Sequence, residues 1–187
     1  MLIACLGWGS LVWDPRHLPV RGPWFADGPF LPIDFARQSR DGRITLVLAP
    51  GRPPVRSLWA MLAIGNLSDA CAALASREGI GAPNVRRYVG VWTRNDPPGA
   101  DDTVGTIEAW ARQRELDAVI WTALPPAFRH RRGYIPTAGE VVAYLSGLEG
   151  DRRAGAEEYV RRAPRQIDTD CRRYIAARLG WAPSDGD

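Results

Sequence analysis

Strand-like patterns fill the first half of this sequence, and helix-like patterns fill its last third. Residues 2–6 form a short apolar run, and residues 33–37 and 43–48 flank a polar turn that contains Gly42, as expected for a β-hairpin. Residues 55–64 predict a third strand of the same set. Strands and helices in separate parts of a chain are typical of an α+β fold rather than of a doubly wound parallel sheet.

The predicted helices are marked by their ends. Asn66 or Ser68 can cap a helix whose apolar residues recur at helical spacing, and Gly79 can end it. Thr137 and Glu140 have the spacing of a capping box, which predicts a helix to about residue 148. Two further helical segments are predicted at residues 154–160 and 168–179.

The remaining segments give weaker signals. Residues 7–32 hold several Gly and Pro residues and predict long loops. Residues 87–93 and 104–111 predict two more strands. Residues 116–124 are apolar and fit either a strand or a helix.

Charge and potential metal ligands exclude several classes of function. The 187 residues carry a net charge of +3, and the 24 basic residues are all Arg, a composition typical of a high-GC bacterial genome. These arginines form no single cluster, so we expect no nucleic-acid partner. Two His and three separated Cys residues match no metal-site pattern. No apolar run is long enough to span a membrane, and the start lacks the features of a signal peptide, so we expect a cytoplasmic protein without a membrane partner.

A glycine-rich segment directly follows the predicted first strand. It consists of Gly7, Trp8, Gly9, Ser10 and Leu11. Two nearby glycines let backbone N–H groups approach a ligand closely, so such a segment can bind a carboxylate or a developing oxyanion. The dinucleotide fingerprint, the phosphate-binding P-loop and the nucleophile elbow all require residues that are absent here. The alternative is a tight turn that only ends the strand.

Glu78 is a charged residue whose position the helical pattern constrains. It lies within about 20° of Leu67 around the helix axis and continues the apolar stripe that includes Cys71. A carboxylate on the buried side of a helix needs a partner or a cleft, and in a cleft it is a candidate general base. The alternative is that Glu78 points to water or pairs with Arg86 or Arg87.

Taken together, the two motifs resemble the gamma-glutamylcyclotransferase superfamily, including its glutathione-specific branch. The family has a Tyr-Gly-Ser-Leu loop after its first strand, which is similar to Trp8-Gly9-Ser10-Leu11, and one branch continues with an apolar residue and Trp, as Val12-Trp13 does. The family's catalytic glutamate lies at a helix end in segments that resemble Arg77-Glu78-Gly79-Ile80. The resemblance covers about residues 1–125, and Trp8 stands where the family has Tyr.

The resemblance implies a fold and a domain organisation. The fold would be gamma-glutamylcyclotransferase-like, a small mixed β-barrel or sheet with flanking helices. The chain would form a single domain over residues 1–187, with residues 126–187 as a helical C-terminal extension.

The resemblance also implies an activity that requires no cofactor and no metal. The α-amine of a γ-glutamyl group attacks its own γ-carbonyl, which forms 5-oxoproline and releases an amine or amino acid, an acyl transfer of the transferase or lyase type. Glu78 would be the catalytic base. The substrate-binding residues would be Gly7, Trp8, Gly9, Ser10 and Leu11. The sequence predicts neither the particular γ-glutamyl compound nor the oligomeric state.

Two alternatives stay open at this stage. The chain would be a non-catalytic small-molecule-binding or interaction module if it shares the fold but not the chemistry. The site carboxylate would be Glu108, which lies near Trp110 in a predicted strand, or Asp117, if Glu78 is not the base.

Overall fold

A computed structural model of the chain describes residues 1–97, 99 and 101–184 and shows a mixed α+β protein with several sheets, which confirms the predicted class. The strands are β1 (Ile3–Gly7), β2 (Val20–Phe25), β3 (Phe30–Leu31), β4 (Ile33–Gln38), β5 (Ile44–Leu48), β6 (Val55–Arg56), β7 (Leu58–Leu62), β8 (Val89–Thr93), β9 (Ala118–Thr122), β10 (Ala127–Phe128) and β11 (Arg131–Arg132). The helices are α1 (Ser10–Trp13), α2 (Leu67–Arg77), α3 (Val85–Tyr88), α4 (Asp102–Gln113), α5 (Ala138–Ser146), α6 (Gly150–Arg162) and α7 (Asp170–Leu179).

The chain divides into two compact units. Unit 1 comprises Met1–Gly7, Asp14–Leu31 and Arg56–Leu124, and unit 2 comprises Trp8–Trp13, Pro32–Val55 and the chain from Pro125 onward. The C-terminal helices, which we expected to form an extension, belong to unit 2 together with strands β4 and β5. The single domain over residues 1–187 stays a prediction.

Unit 1 is built on a five-stranded sheet with the strand order β2-β7-β1-β9-β8. The central strand is β1, which runs antiparallel to β7 and parallel to β9. All five residues of β1 are buried, so the strand needs a continuous apolar run instead of an alternating pattern. The prediction of a buried first strand from residues 2–6 is confirmed.

This sheet carries one helix on each face. Cys5 and Leu6 are successive residues of β1 and therefore point to opposite faces. Cys5 lies on the side of α2, where Cys71 is close enough to influence its ionisation. Leu6 pairs with Trp59 of β7, whose ring contacts that of Trp110 on α4 at 5.4 Å between centroids. Helices α2 and α4 therefore pack on opposite faces of the sheet, where both contact β8 and β9.

Unit 2 is built on a four-stranded sheet with the strand order β11-β10-β4-β5. Strands β4 and β5 form the antiparallel hairpin predicted for residues 33–37 and 43–48. Helix α7 packs against β4, α6 packs against β5, and α5 packs against α7. The capping box of Thr137 and Glu140 begins α5 as predicted, and Thr169 caps α7. The C-terminal helices thus cover this hairpin.

Residues 104–111 lie in helix α4, so the prediction of a strand there is wrong. The side chain of Asp101 accepts a hydrogen bond from the backbone N–H of Val104 and caps the helix. Ile107 and Trp110 are buried at helical spacing against the sheet of unit 1. The β-branched residues of this segment favour a strand locally, and the cap together with the burial of the helical stripe outweighs that preference.

Residues 7–32 hold regular structure where we expected long loops. They contain α1, β2 and β3. Gly22, at φ 80°, and Pro23 are accommodated because β2 is an edge strand with a register shift between Arg21 and Phe25. Gly and Pro therefore mark an irregular edge strand here.

The structure refines three other predictions, and for residues 116–124 it decides between a strand and a helix. Residues 55–64 contain the short strand β6 and the strand β7, and β7 pairs with β1 and β2 in the sheet of unit 1 rather than with the β4–β5 hairpin. Residues 87–93 begin in helix α3 and continue as β8. Residues 116–124 form strand β9 and no helix.

The two larger sheets are open within the described residues. The outer strands β2 and β8 of unit 1, and β11 and β5 of unit 2, each have one partner in their sheet. The sheet with flanking helices is therefore present, and the closed barrel named in the prediction is absent from this part of the chain.

Candidate active site

The two ends of helix α2 determine where Glu78 lies. Asn66 caps the first turn through its side chain, as predicted. At the other end, Gly79 has a φ of 67°, and the N–H groups of Gly79 and Ile80 bond back to carbonyl groups of the last turn. This is a Schellman motif, which confirms the predicted helix stop. Glu78 is the C-cap residue of that motif, so its backbone is held in one conformation.

The Glu78 side chain is largely buried and has one charged partner. It is 17% exposed, and its Oε1 accepts a hydrogen bond from Nη1 of Arg77 at 2.7 Å. No residue in the described part of the chain donates a hydrogen bond to Oε2. Its partner is thus the preceding arginine, whereas Arg86 and Arg87, the partners considered from the sequence, are exposed.

The Glu78 carboxylate lies close enough to the Cys5 thiol of β1 for its charge to affect that thiol. Burial raises the pKa of Cys5, and the nearby negative charge of Glu78 raises it further. Glu78 therefore lies on the α2 side of the central strand β1. The same shift keeps Cys5 a neutral thiol, so this residue fills the core and is not a nucleophile.

The glycine-rich segment differs from the predicted loop. Gly7 is the last residue of β1, and Ser10 and Leu11 begin helix α1. Of the predicted substrate-binding residues, Ser10 is partly exposed, and the buried ones are Gly7, Trp8, Gly9 and Leu11. A Cβ atom on Gly9 would overlap the hydroxyl oxygen of Tyr159 on α6. Packing within unit 2 therefore requires a glycine at position 9.

The predicted site draws on both units. Glu78 and Gly7 belong to unit 1, and residues 8–11 belong to unit 2. That residues 7–11 and Glu78 form one site stays a prediction.

Glu108, the second candidate carboxylate, has both of its oxygens engaged. Oε2 accepts from the backbone N–H of Gly99 at 3.0 Å, and Oε1 accepts from Nε of Arg112 at 2.9 Å. The bond from Gly99 and, after it, the bond from Arg112 lower the pKa of Glu108. A carboxylate stabilised in its charged form in this way serves structure, because it ties the segment before α4 to the helix.

Asp117, the third candidate, is also used in structure. Its Oδ2 accepts a hydrogen bond from the backbone N–H of Leu2 at 2.7 Å, and Oδ1 lies 4.0 Å from Nε of Arg94. Since the Asp117 side chain is 42% exposed, the ion pair adds little, and the main effect is to hold the start of β1 beside β9.

The described residues contain no cluster of three or more His, Cys, Asp or Glu side chains that could hold a metal ion. The three cysteines are buried and unpaired.

A surface cavity of about 630 Å³ lies at the start of α4. It is lined by Gly99, Asp101, Asp102, Gly105, Thr106 and Ala109. The Asp101 carboxylate caps the helix, which is a structural role. This cavity was not predictable from the sequence, because residues 104–111 were predicted as a strand.

Two residues that contact the predicted site were not found from the sequence. In the sequence, Arg77 was considered only as part of the motif around Glu78. Its contact with Glu78 is seen only in the structure, where both residues lie at the end of α2. Tyr159 lies on α6, where its hydroxyl accepts from the backbone N–H of Leu46 at 3.1 Å and contacts Gly9. In the sequence, Tyr159 lies within the predicted helical segment 154–160, which carries no signal for a contact with Gly9.

No known family model matches this chain, and no curated protein matches it. In the described part of the chain, no helix combines the length and the apolar character needed to cross a membrane.

Proposed function

We propose that this protein is a gamma-glutamylcyclotransferase-type enzyme with a gamma-glutamylcyclotransferase-like fold. The observation that supports the proposal most directly is the state of Glu78. Its carboxylate is 17% exposed at the end of α2, one oxygen is held by Arg77, and the described residues leave the other oxygen without a hydrogen bond. A carboxylate held in this way is equipped to accept and return a proton.

The proposed reaction needs one proton acceptor because the nucleophile is part of the substrate. Glu78 takes a proton from the α-ammonium group of the γ-glutamyl substrate. The freed amine attacks the γ-carbonyl carbon, a new C–N bond closes the five-membered ring, and the original γ-amide C–N bond breaks. Glu78 returns this proton to the leaving nitrogen, and the ring nitrogen gives up its second proton, which also ends on the leaving amine. The products are 5-oxoproline and an amine or amino acid, and atoms balance without a co-reactant. Much of the rate enhancement would come from holding the substrate in its folded conformation.

The glycine-rich segment supplies the proposed substrate contacts. The five residues are Gly7, Trp8, Gly9, Ser10 and Leu11. Trp8 is 5% exposed, and its indole offers one N–H donor in place of the phenol of the family's Tyr. Since that hydroxyl is missing, we expect a preference among γ-glutamyl compounds that differs from that of relatives with Tyr.

The first experiment tests the activity itself. The purified chain is incubated with a panel of γ-glutamyl amino acids, γ-glutamyl amines and glutathione, and 5-oxoproline is measured by chromatography. We expect release of 5-oxoproline from at least one class. A chain inert on the whole panel would favour the non-catalytic binding module on the same fold.

The second experiment tests the assigned base, with Glu108→Gln as a matched control for Glu78→Gln. Both glutamates pair with an arginine, and their side chains are 17% and 14% exposed, so the two substitutions remove equivalent charges. We expect Glu78→Gln to lower kcat by about 10²–10⁴-fold and Glu108→Gln to leave kcat unchanged. Full turnover in the Glu78 variant would rule out this assignment.

A further inference from the structure

Arg77 is a buried charged side chain whose donors contact a backbone carbonyl and a carboxylate. Its side chain is 5% exposed. Nε and Nη2 both donate to the backbone carbonyl of Asp14, at 3.1 and 2.7 Å, and Nη1 donates to Oε1 of Glu78 at 2.7 Å. A buried guanidinium is tolerated only with such partners, because an uncompensated charge in the interior is strongly destabilising.

The geometry of these bonds fixes the guanidinium plane. The two donors on the Asp14 carbonyl hold one edge of the planar group, so Nη1 on the other edge points in one direction. The carbonyl of Arg77 itself accepts from Nη1 of Arg16 at 3.5 Å, which adds a second connection between this helix end and the segment that follows Trp13. Glu78 therefore meets a donor that cannot rotate away.

Two other largely buried charged side chains, Arg172 and Glu108, differ from the pair of Arg77 and Glu78 in how their polar atoms are used. The buried Arg172 directs its donors at backbone carbonyls, including those of Val160 and Ala163, and so only stabilises a chain turn. Glu108 has both oxygens occupied, by Gly99 and Arg112. In the pair of Arg77 and Glu78, by contrast, one carboxylate oxygen is held and the other is left unbonded by the described residues.

We infer that Arg77 is a positioning residue for the Glu78 carboxylate. It anchors Oε1, keeps the carboxylate in one orientation and leaves Oε2 to exchange the proton with the substrate. This role rests on the proposed function. Arg77 itself contacts no reacting atom, so its loss should reduce kcat more than it changes KM.

The test uses the full chain and a substrate that the wild type converts. Arg77→Ala removes the guanidinium, Arg77→Lys keeps the charge but cannot contact Asp14 and Glu78 together, and Arg87→Ala is the control because Arg87 is an exposed arginine of the same unit. For each folded variant we measure kcat and KM, with and without methylguanidinium at concentrations far below those that unfold the protein.

We expect Arg77→Ala to lose about 10- to 100-fold in kcat with KM nearly unchanged, the range typical of residues that orient a ligand-contacting group. Methylguanidinium should restore part of that kcat, Arg77→Lys should lie between Arg77→Ala and the wild type, and Arg87→Ala should match the wild type. If Arg77→Ala does not fold, Arg77→Lys decides, with a reduced kcat expected.

Two results would overturn the inference while the proposed function stands. One is wild-type kcat in a folded Arg77 variant whose melting temperature alone has dropped. The other is a loss of kcat that neither methylguanidinium nor the lysine variant recovers in part. An inert wild type, in contrast, removes the proposed function and this role with it.

Discussion

At the scale of single residues, Gly9 illustrates how a motif position can be fixed by packing. The space that a Cβ atom would need is taken by the Tyr159 hydroxyl, which in turn accepts the backbone N–H of Leu46. The Tyr159 ring also makes an edge contact with Trp13 at 5.5 Å, so the ring cannot easily retreat. The glycine of this motif is therefore required whether or not the segment binds a ligand.

We expect Gly9→Ala to lower the free energy of unfolding by about 1–3 kcal/mol, because an added methyl group in a packed core forces its neighbours to move. Gly155→Ala is the matched control, since Gly155 lies in helix α6 with no atom within 4 Å of its Cβ position. That variant should be stabilised by about 0.5–1 kcal/mol, because alanine is the better helix residue. Urea unfolding followed by circular dichroism measures both, and equal stabilities would contradict the expected clash.

The position of Glu78 was predictable from the sequence, but its partner was not. The helical stripe and the stop at Gly79 placed the carboxylate on the covered side of α2. Adjacent residues on a helix point about 100° apart, so an interaction between Arg77 and Glu78 is not expected while both are helical. The two long side chains nevertheless meet at the helix end, where Nη1 of Arg77 lies 2.7 Å from Oε1 of Glu78.

At the scale of elements, a buried carboxylate connects strand β4 to helix α7. Asp34 of β4 is 4% exposed, and it accepts from the hydroxyl of Thr169, the N-cap residue of α7. Its Oδ2 also lies 3.3 Å from Nε of Arg52. Burial outweighs these favourable contacts and raises the pKa of Asp34.

This shift predicts a pH dependence with a defined sign. Because the native pKa of Asp34 lies above the unfolded value of about 3.9, the native state holds the proton more tightly, and the stability from this group is lost as pH rises through the native pKa. Asp34→Asn cannot ionise. We therefore expect the stability of Asp34→Asn relative to the wild type to increase between about pH 4 and pH 7, measured by urea unfolding.

Asp41 provides the control with the opposite sign. Burial acts to raise its pKa, but hydrogen bonds from Ser39 and Arg43 outweigh burial, and the pKa of Asp41 is lowered. Asp41→Asn should therefore lose stability relative to the wild type as pH rises through the range below about pH 4, and should change little between about pH 4 and pH 7. A parallel response of the two variants would contradict the assignment to Asp34.

Elements with local signals were predictable, and elements set by distant contacts were not. Helices α2 and α5 carry their caps and apolar spacing within a few residues, so both were found. Helix α4 was missed because Val104 and Ile107 suit a strand, and its helical form depends on burial against the sheet of unit 1. The partners of β7 were also missed, because β1 lies more than fifty residues earlier in the chain.

At the scale of the whole molecule, unit 2 combines segments that lie far apart in the sequence. Unit 2 takes the hairpin β4–β5 from the first third of the sequence and its covering helices α6 and α7 from the end. Residues 126–187, expected as an extension, thus contribute to the same compact unit as the hairpin. Inward residues of that hairpin, such as Ile33 and Phe35, are almost completely buried.

We expect a chain truncated after Leu124 to lose the fold of unit 2, because the hairpin would expose its apolar residues to water. The truncated chain should bind the dye ANS through the exposed hairpin, and the cooperative unfolding of unit 2 should be lost. A chain that ends at Ser184 keeps every described helix and serves as the control. Cooperative unfolding of the truncated chain without dye binding would show that the C-terminal region is indeed an extension.

The covering of the hairpin also has a consequence for synthesis on the ribosome. Leu48 completes β5, but α7 begins only at Asp170, about 120 residues later. At about 5–20 residues per second, some 6–24 s pass before the second covering helix has been made. During this interval the nascent chain carries an apolar hairpin without its native cover, so we expect it to be prone to aggregation until α7 has been made.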